Sequence, residues 1–352
     1  MENFFLHSKA TLNNFDLIRL FAAIQVAISH ISSHLEIAIP GLSFLSYFPG
    51  VPIFFFISGY LVYQSFANLK ERRYKIFFTN RFLRLYPALF FCFAVSVLSL
   101  YVCGYLASQS FTAFDFSIWG FTQLTFFQFY NPDFLRKYGV GAINGSLWTI
   151  AVELQFYVLT PLFFIYANKN KLIWAIALPV FIIFNALNTF FNGSSTIIEK
   201  LIGVSFLPWF YMFLLGAYLS TNKKLQQKIL SLNTSVYLFF YLISFYLTSI
   251  LGTGTGNKIN FISYLFLSLL IFKLAYTRPN LSTSLLSGND ISYGVYIYHM
   301  PIVNLFLYYG LYQTVMSFAL SLLITFLMAI ISWIVIEKPS LKLKKITLRK
   351  YS

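Results

Sequence analysis

Apolar runs separated by brief polar punctuation recur along the whole chain. A helix needs roughly 20 residues to cross a hydrocarbon core of about 30 Å. Ten segments approach that length, at 14–34, 50–67, 84–107, 147–167, 172–190, 203–220, 234–251, 259–276, 291–309 and 315–336. A further apolar stretch, 116–130, is shorter and bounded by polar residues, and reads as an interfacial or re-entrant helix. The pattern predicts an all-α fold: a polytopic integral membrane helical bundle with about ten transmembrane helices.

Composition strengthens this reading. The chain is 58% hydrophobic and 21% aromatic, and only 10% of its residues are charged, against about 25% in soluble domains. Its net charge of +15 would suggest a nucleic-acid partner in a soluble protein. Here the basic residues cluster in alternate loops, as the positive-inside rule expects, so no nucleic-acid partner is expected. With the N-terminus inside, the cytoplasmic set runs from Lys9 through Lys70, Arg72, Arg81 and Arg84 to Lys350. It leaves only Arg136, Lys137, Lys200 and Lys258 outside, with Arg19 in the membrane. Both termini are therefore expected inside, in a multi-pass membrane protein.

The first span carries charge and no signal-peptide cleavage pattern precedes it, so it is read as retained. Residues 9–340 read as one transmembrane domain and 341–352 as a basic cytoplasmic tail. Cys92 and Cys103 fall within one predicted helix about 16 Å apart, too far for a disulfide. The longest connection, 108–146, is expected outside, and a loop of that length is usually functional. It is the expected specificity element.

Ionisable groups inside a membrane are costly and mark function by default. Arg19 and His30, eleven residues apart in NFDLIRLFAAIQVAISHISSHL, share one helix face at a separation of about 16 Å. A lone His could be a core residue bonded to a neighbouring helix, and equally a general base. His34 shares its face, but no further ligand at a telling spacing accompanies the pair, so no metal is expected. Glu153, in GSLWTIAVELQFY, lies at a depth similar to His30. It could tie two helices together, orient His30 or bind an acceptor hydroxyl. Arg81 and Arg84, at i and i+3 in TNRFLRLYPAL, face one way and could fork onto phosphate oxygens; ordinary membrane anchoring is the plainer role. Ser58-Gly59 reads as helix packing. His299 precedes Pro301, which is expected to free backbone carbonyls, and is either a structural partner or a residue on the substrate path. Glu337, in the closing IEKPS, is expected to meet the basic tail.

Together these blocks resemble the acyltransferase family 3 membrane proteins, which O-acylate sugars of surface polysaccharides. The resemblance covers most of the chain: FDLIRLFAAIQVAISH, GVPIFFFISGYLV, RFLRLYPAL, GSLWTIAVELQFY, SYGVYIYHMPI and the closing E-x-P, in order. The family pattern of Arg and His in the first helix, an R-x-x-R pair and a W-x-x-x-x-E motif falls on Arg19 and His30, Arg81 and Arg84, and Trp148 with Glu153. The resemblance implies a ten-helix core in the bacterial cytoplasmic membrane that takes an acyl group, most often acetyl, from cytosolic acyl-CoA. The acceptor would be a sugar hydroxyl of a surface polysaccharide or lipid-linked glycan beyond the membrane. Some relatives carry an extracytoplasmic hydrolase-like domain, so this chain would work without one or with a separate extracytoplasmic partner. On this reading CoA phosphates meet Arg19, Arg81 and Arg84, His30 deprotonates the acceptor with Glu153 beside it, and His299 and Trp148 flank the substrate path. Asp290 is expected to cap a helix. The rival from another class is a glycan or proton-coupled transporter or flippase subunit, since intramembrane His and Glu also serve proton relays. No inverted repeat or paired broken helices support it. A purely structural subunit of an export complex would leave Arg19, His30 and Glu153 unexplained.

Overall fold

The computed structural model describes residues 12–69, 73–190, 196–254 and 256–349, and these form helices and turns without a strand. The helices are, in order, α1 (Phe15–His34), α2 (Gly50–Ala67), α3 (Arg73–Val102), α4 (Ala113–Gln123), α5 (Trp148–Lys169), α6 (Leu172–Phe190), α7 (Ile197–Gly203) and α8 (Phe210–Thr221). There follow α9 (Lys223–Ser231), α10 (Thr234–Ile250), α11 (Phe261–Tyr276), α12 (Leu281–Leu286), α13 (Ser292–Tyr308), α14 (Val315–Ser332) and α15 (Lys338–Arg349). Of the residues used above, Lys9, Lys70, Arg72 and Lys350, with the ends of the expected domain (9–11) and tail (350–352), lie outside the described residues.

Each of the ten apolar segments contains a helix. Among the described residues six helical stretches are long and apolar enough to cross a membrane, or up to seven if the bent pair α9 and α10 is one span. The chain is thus a multi-pass integral membrane protein. The sixth predicted segment departs most from expectation: only Phe210–Thr221 of it is a long helix. Pro208 disfavours the α conformation at the residue before it, and 204–209 is irregular. Side chains satisfy that broken backbone, as apolar surroundings require. The Gln155 carboxamide accepts from the Phe206 amide at 2.8 Å and donates to the Val204 carbonyl at 3.3 Å. Asn185 donates to the Pro208 carbonyl at 3.1 Å. In the third segment the helix starts at Arg73 rather than near 84, because Ile76, Phe77 and Leu85 keep a buried stripe between the cations. The helix in 116–130 spans Ala113–Gln123, opened by a reciprocal Thr112–Asp115 capping box.

Small residues let the bundle close. A Cβ on Gly59 would stand 2.0 Å from the Phe213 carbonyl oxygen, and one on Gly216 would stand 2.2 Å from that of Phe56. The backbones of α2 and α8 therefore touch, the use expected of Ser58-Gly59. On the other side of the core, α13 packs against α1 and α14, and a Cβ on Gly294 would meet Ala329 at 2.8 Å.

The long connection is anchored to α13. Pro301 has no N–H for the Ile297 carbonyl one turn back. That carbonyl accepts instead from the Asn144 amide at 2.7 Å. One turn further on, buried Asn304 accepts from the Val140 amide at 2.8 Å and donates to the carbonyls of Ala142 and Ile143 at 2.9 and 3.0 Å. Gly139, at φ +54°, lies so close that a Cβ would strike the Asn304 side chain. Beneath the connection Trp119, Phe134, Leu135 and Tyr138 form a small apolar cluster with Leu100 and Tyr105.

Candidate active site

A cavity of about 380 Å³ opens among α1, α2, α3, α5, α13 and α15. Arg19, Arg81, Arg84 and Glu153 all line it, together with Ser58, Tyr157, Asp290, Tyr296 and Lys344. Residues assigned from sequence to three separate helices thus meet around one volume.

The cations differ in how far they are already matched. Arg84 is paired with Asp290, and Arg19 lies 3.9 Å from Asp290 and 3.7 Å from Asp16. Asp290 also accepts from the Ser292 amide at 3.1 Å and from its hydroxyl; it stands one residue before Ile291, the N-cap of α13, rather than capping the helix as expected, and it neutralises two arginines. Burial pushes its carboxyl up, but Arg84 and then Arg19 outweigh that and hold it below the ordinary carboxylate range. Arg81 is different. It touches the Ser65 hydroxyl at 3.4 Å and lies 5.6 Å from the ring centres of Phe77 and Tyr157. Its Nε is buried without a hydrogen-bond partner. A half-buried guanidinium that lines the cavity without a carboxylate partner suits an incoming phosphate. Lys344, from the expected tail, adds a fourth cation to the wall.

Glu153 is bonded to its own side of the cavity. One carboxylate oxygen accepts from the Ser58 hydroxyl at 2.8 Å and from the Tyr157 hydroxyl at 2.6 Å. His30, considered as its partner from depth alone, is bonded elsewhere: its Nδ1 lies 2.8 Å from Nε2 of His299. Trp148 packs tilted at 47° against Trp209, ring centres 5.3 Å apart, and does not line the cavity, whereas its neighbour Thr149 does. Glu337 turns inward rather than to the tail and accepts from the Ser332 hydroxyl at 3.1 Å. The π-helical turn Trp333–Glu337 rotates it there.

The histidine pair has a defined proton order. His299 is fully buried, and its Nδ1 faces the Val295 carbonyl at 3.3 Å. A carbonyl only accepts, so His299 Nδ1 carries the hydrogen and its Nε2 offers a lone pair. In that tautomer His30 Nδ1 donates to the lone pair, which leaves the lone pair of His30 Nε2 unengaged. Tyr296 connects this pair to the cavity: its ring lies 5.9 Å from that of His299, and its hydroxyl meets Thr149 Oγ1 at 2.6 Å.

Sequence reading passed over Tyr157, Tyr296, Asp290 as a counter-ion, and Lys344. Tyr157 was legible, since it follows Glu153 by four residues and so shares its face. A buried arginine pair also calls for a carboxylate. Nothing in the linear order marks Tyr296.

Membrane-spanning helices thus enclose a cation-lined cavity with a bonded histidine pair beside it, an arrangement of the integral membrane class. The chain belongs to the acyltransferase family whose model, described as "Acyltransferase domain", matches residues 12–337. It is an acyltransferase. Over 354 residues it is 28% identical to Nodulation protein 10 of Rhizobium leguminosarum bv. viciae, covering 96% of this chain and 95% of that one. It is 26% identical over 340 residues to the O-acetyl transferase of Shigella phage Sf6, covering 93% and 95%. Against O-acetyltransferase OatA of Staphylococcus aureus (strain NCTC 8325 / PS 47) the identity is 25% over 370 residues, covering 95% of this chain and 58% of the relative. No solved structure matches the chain.

Proposed function

We propose that this protein is a membrane O-acetyltransferase that moves an acetyl group from cytosolic acetyl-CoA to a hydroxyl of a surface polysaccharide or its lipid-linked precursor. The observation that carries the proposal is the adjacency of the cation-lined cavity to the His30–His299 pair through Tyr296. Relatives named as O-acetyltransferases support acetyl as the group moved. The topology that suits this chemistry has ten crossings with both termini inside, so donor and acceptor approach from opposite faces.

In this reading Arg81 takes a CoA phosphate, with Lys344 and Arg19 adding charge. The thioester extends toward Tyr296. The acceptor oxygen attacks the thioester carbonyl while its proton passes to His30 Nε2. Collapse of the tetrahedral intermediate breaks the C–S bond, and the thiolate takes the proton from the imidazolium to leave as free CoA. His299, bonded to the other nitrogen, holds the imidazole in the competent tautomer and orientation. General-base help of this kind contributes about 10²–10⁴-fold in rate.

The test is alkali-labile acetyl on surface polysaccharide in a deletion strain complemented at equal membrane levels. Wild type restores the ester and His30→Ala does not. Full restoration by His30→Ala would overturn the role given to His30. An unchanged ester content in the deletion strain would remove the polysaccharide as acceptor.

A further inference from the structure

A second cavity, of about 800 Å³, is separate from the first and takes only Tyr63 from α2. Its wall is made by the C-terminal ends of α2, α5 and α8 and the first turns of α6 and α9. Three features coincide there. Lys171, Lys223 and Lys224 line it, and among the described residues none forms an ion pair. The first turn of α9 adds backbone N–H groups, of which Asn222 satisfies the one on Leu225, at 3.0 Å. Tyr63 is 1% exposed, lines the same cavity, and its hydroxyl has no hydrogen-bond partner. Leaving a buried hydroxyl unpaired is costly, so a cavity holding one beside three cations without ion-pair partners is built to receive a polar anion.

Apart from Asn168, Thr221 and Asn222, the remaining wall is apolar and names the kind of anion. Trp174, Ala175, Leu178, Leu214 and Tyr218 are apolar or aromatic. Helix α6, which supplies three of them, is the least covered of the long helices: only 11% of its apolar window is buried inside the protein. Helix α9 meets α10 at 93°, so if α10 crosses the membrane, α9 lies along the interface. The cavity therefore opens to lipid along one side and presents cations at the headgroup level. From this we infer that it binds an anionic phospholipid. The phosphate would sit against Lys171, Lys223, Lys224 and the start of α9, accepting from the Tyr63 hydroxyl, with an acyl chain along Leu178 and Tyr218. The site shares no lining residue with the first cavity.

Native mass spectrometry of the full-length protein, released from nanodiscs of mixed phosphatidylglycerol and phosphatidylcholine, tests this. Wild type should retain phosphatidylglycerol selectively. Each of Lys171→Gln, Lys223→Gln and Lys224→Gln should weaken retention about fivefold, from roughly 1 kcal/mol per interfacial cation. Tyr63→Phe, which keeps the ring, should weaken it several-fold, whereas Lys137→Gln with Lys200→Gln should change nothing. The inference fails if wild type shows no preference between the lipids, or if the control pair loses the lipid as fully as the lysine variants do. It also fails if inorganic phosphate at millimolar concentration displaces the lipid completely, since the ligand would then be a free phosphate species. The single variants and Tyr63→Phe keep the test valid should a triple lysine variant fail to fold.

Discussion

At the scale of single residues, the arginines that sequence treats alike divide into two kinds. Arg84 is largely spent on Asp290, whereas Arg81 lines the cavity without a carboxylate partner among the described residues. Arg81→Ala should therefore raise the KM for acyl-CoA while leaving the melting temperature nearly unchanged. Asp290→Ala should do the reverse, destabilising by about 3–5 kcal/mol because it leaves a buried cation unpaired; thermal melts and initial rates separate the two. The sign of the pH dependence follows from Asp290. Its folded carboxyl is held below the ordinary range, so its contribution is complete above the unfolded pKa of about 4 and is lost as pH falls through the lower folded value. Acid unfolding should thus begin at higher pH in Asp290→Asn. His299 offers a sharper distinction. His299→Leu removes the acceptor for His30 Nδ1 and should lower kcat about tenfold or more, still less than His30→Ala. His299→Gln can present its carboxamide oxygen there and should recover part of the rate; equal rates in both variants would contradict a positioning role.

At the scale of elements, most helices were legible because apolar length is a one-dimensional signal. Boundaries failed where a local rule competed with it. Pro208 cut short the helix expected over 203–220, and cations that look like the end of a span proved compatible with an amphipathic first turn of α3. The site was legible only in its parts. Arg19, Arg81, Arg84 and Glu153 stood out as charges where charge is costly, yet the 269-residue separation of His30 and His299 leaves no local trace of their bond. Ser58 was read as packing because its partner, Glu153, lies 95 residues away. The contact of α2 with α8 gives its own prediction. Gly59→Ala places a methyl group against backbone rather than a movable side chain, so it should cost at least about 1–3 kcal/mol. The readout is a drop in thermal stability in detergent with the donor-cavity charges untouched.

At the scale of the whole molecule, the proposed transfer from a cytosolic donor to an acceptor beyond the membrane requires a definite orientation. In a Cys92→Ser, Cys103→Ser background, Lys137→Cys should react with an impermeant maleimide added to intact cells, and Lys224→Cys only after permeabilisation. The opposite pattern would reverse the proposed topology. The fastening of the outer connection to α13 bears on how such proteins diversify. Asn144 occupies the carbonyl that Pro301 releases, and Asn304 grips the connection one turn beyond His299. If the connection recognises the acceptor and His299 orients His30, as proposed, that surface cannot be exchanged without the helix it is fastened to. A chimera receiving only residues 131–147 of a relative would be mismatched at Ile297 and Asn304, and would lose turnover along with its old preference. Transplanting 131–147 together with 292–308 should move acceptor choice and preserve rate, making that pair of segments the unit of inheritance.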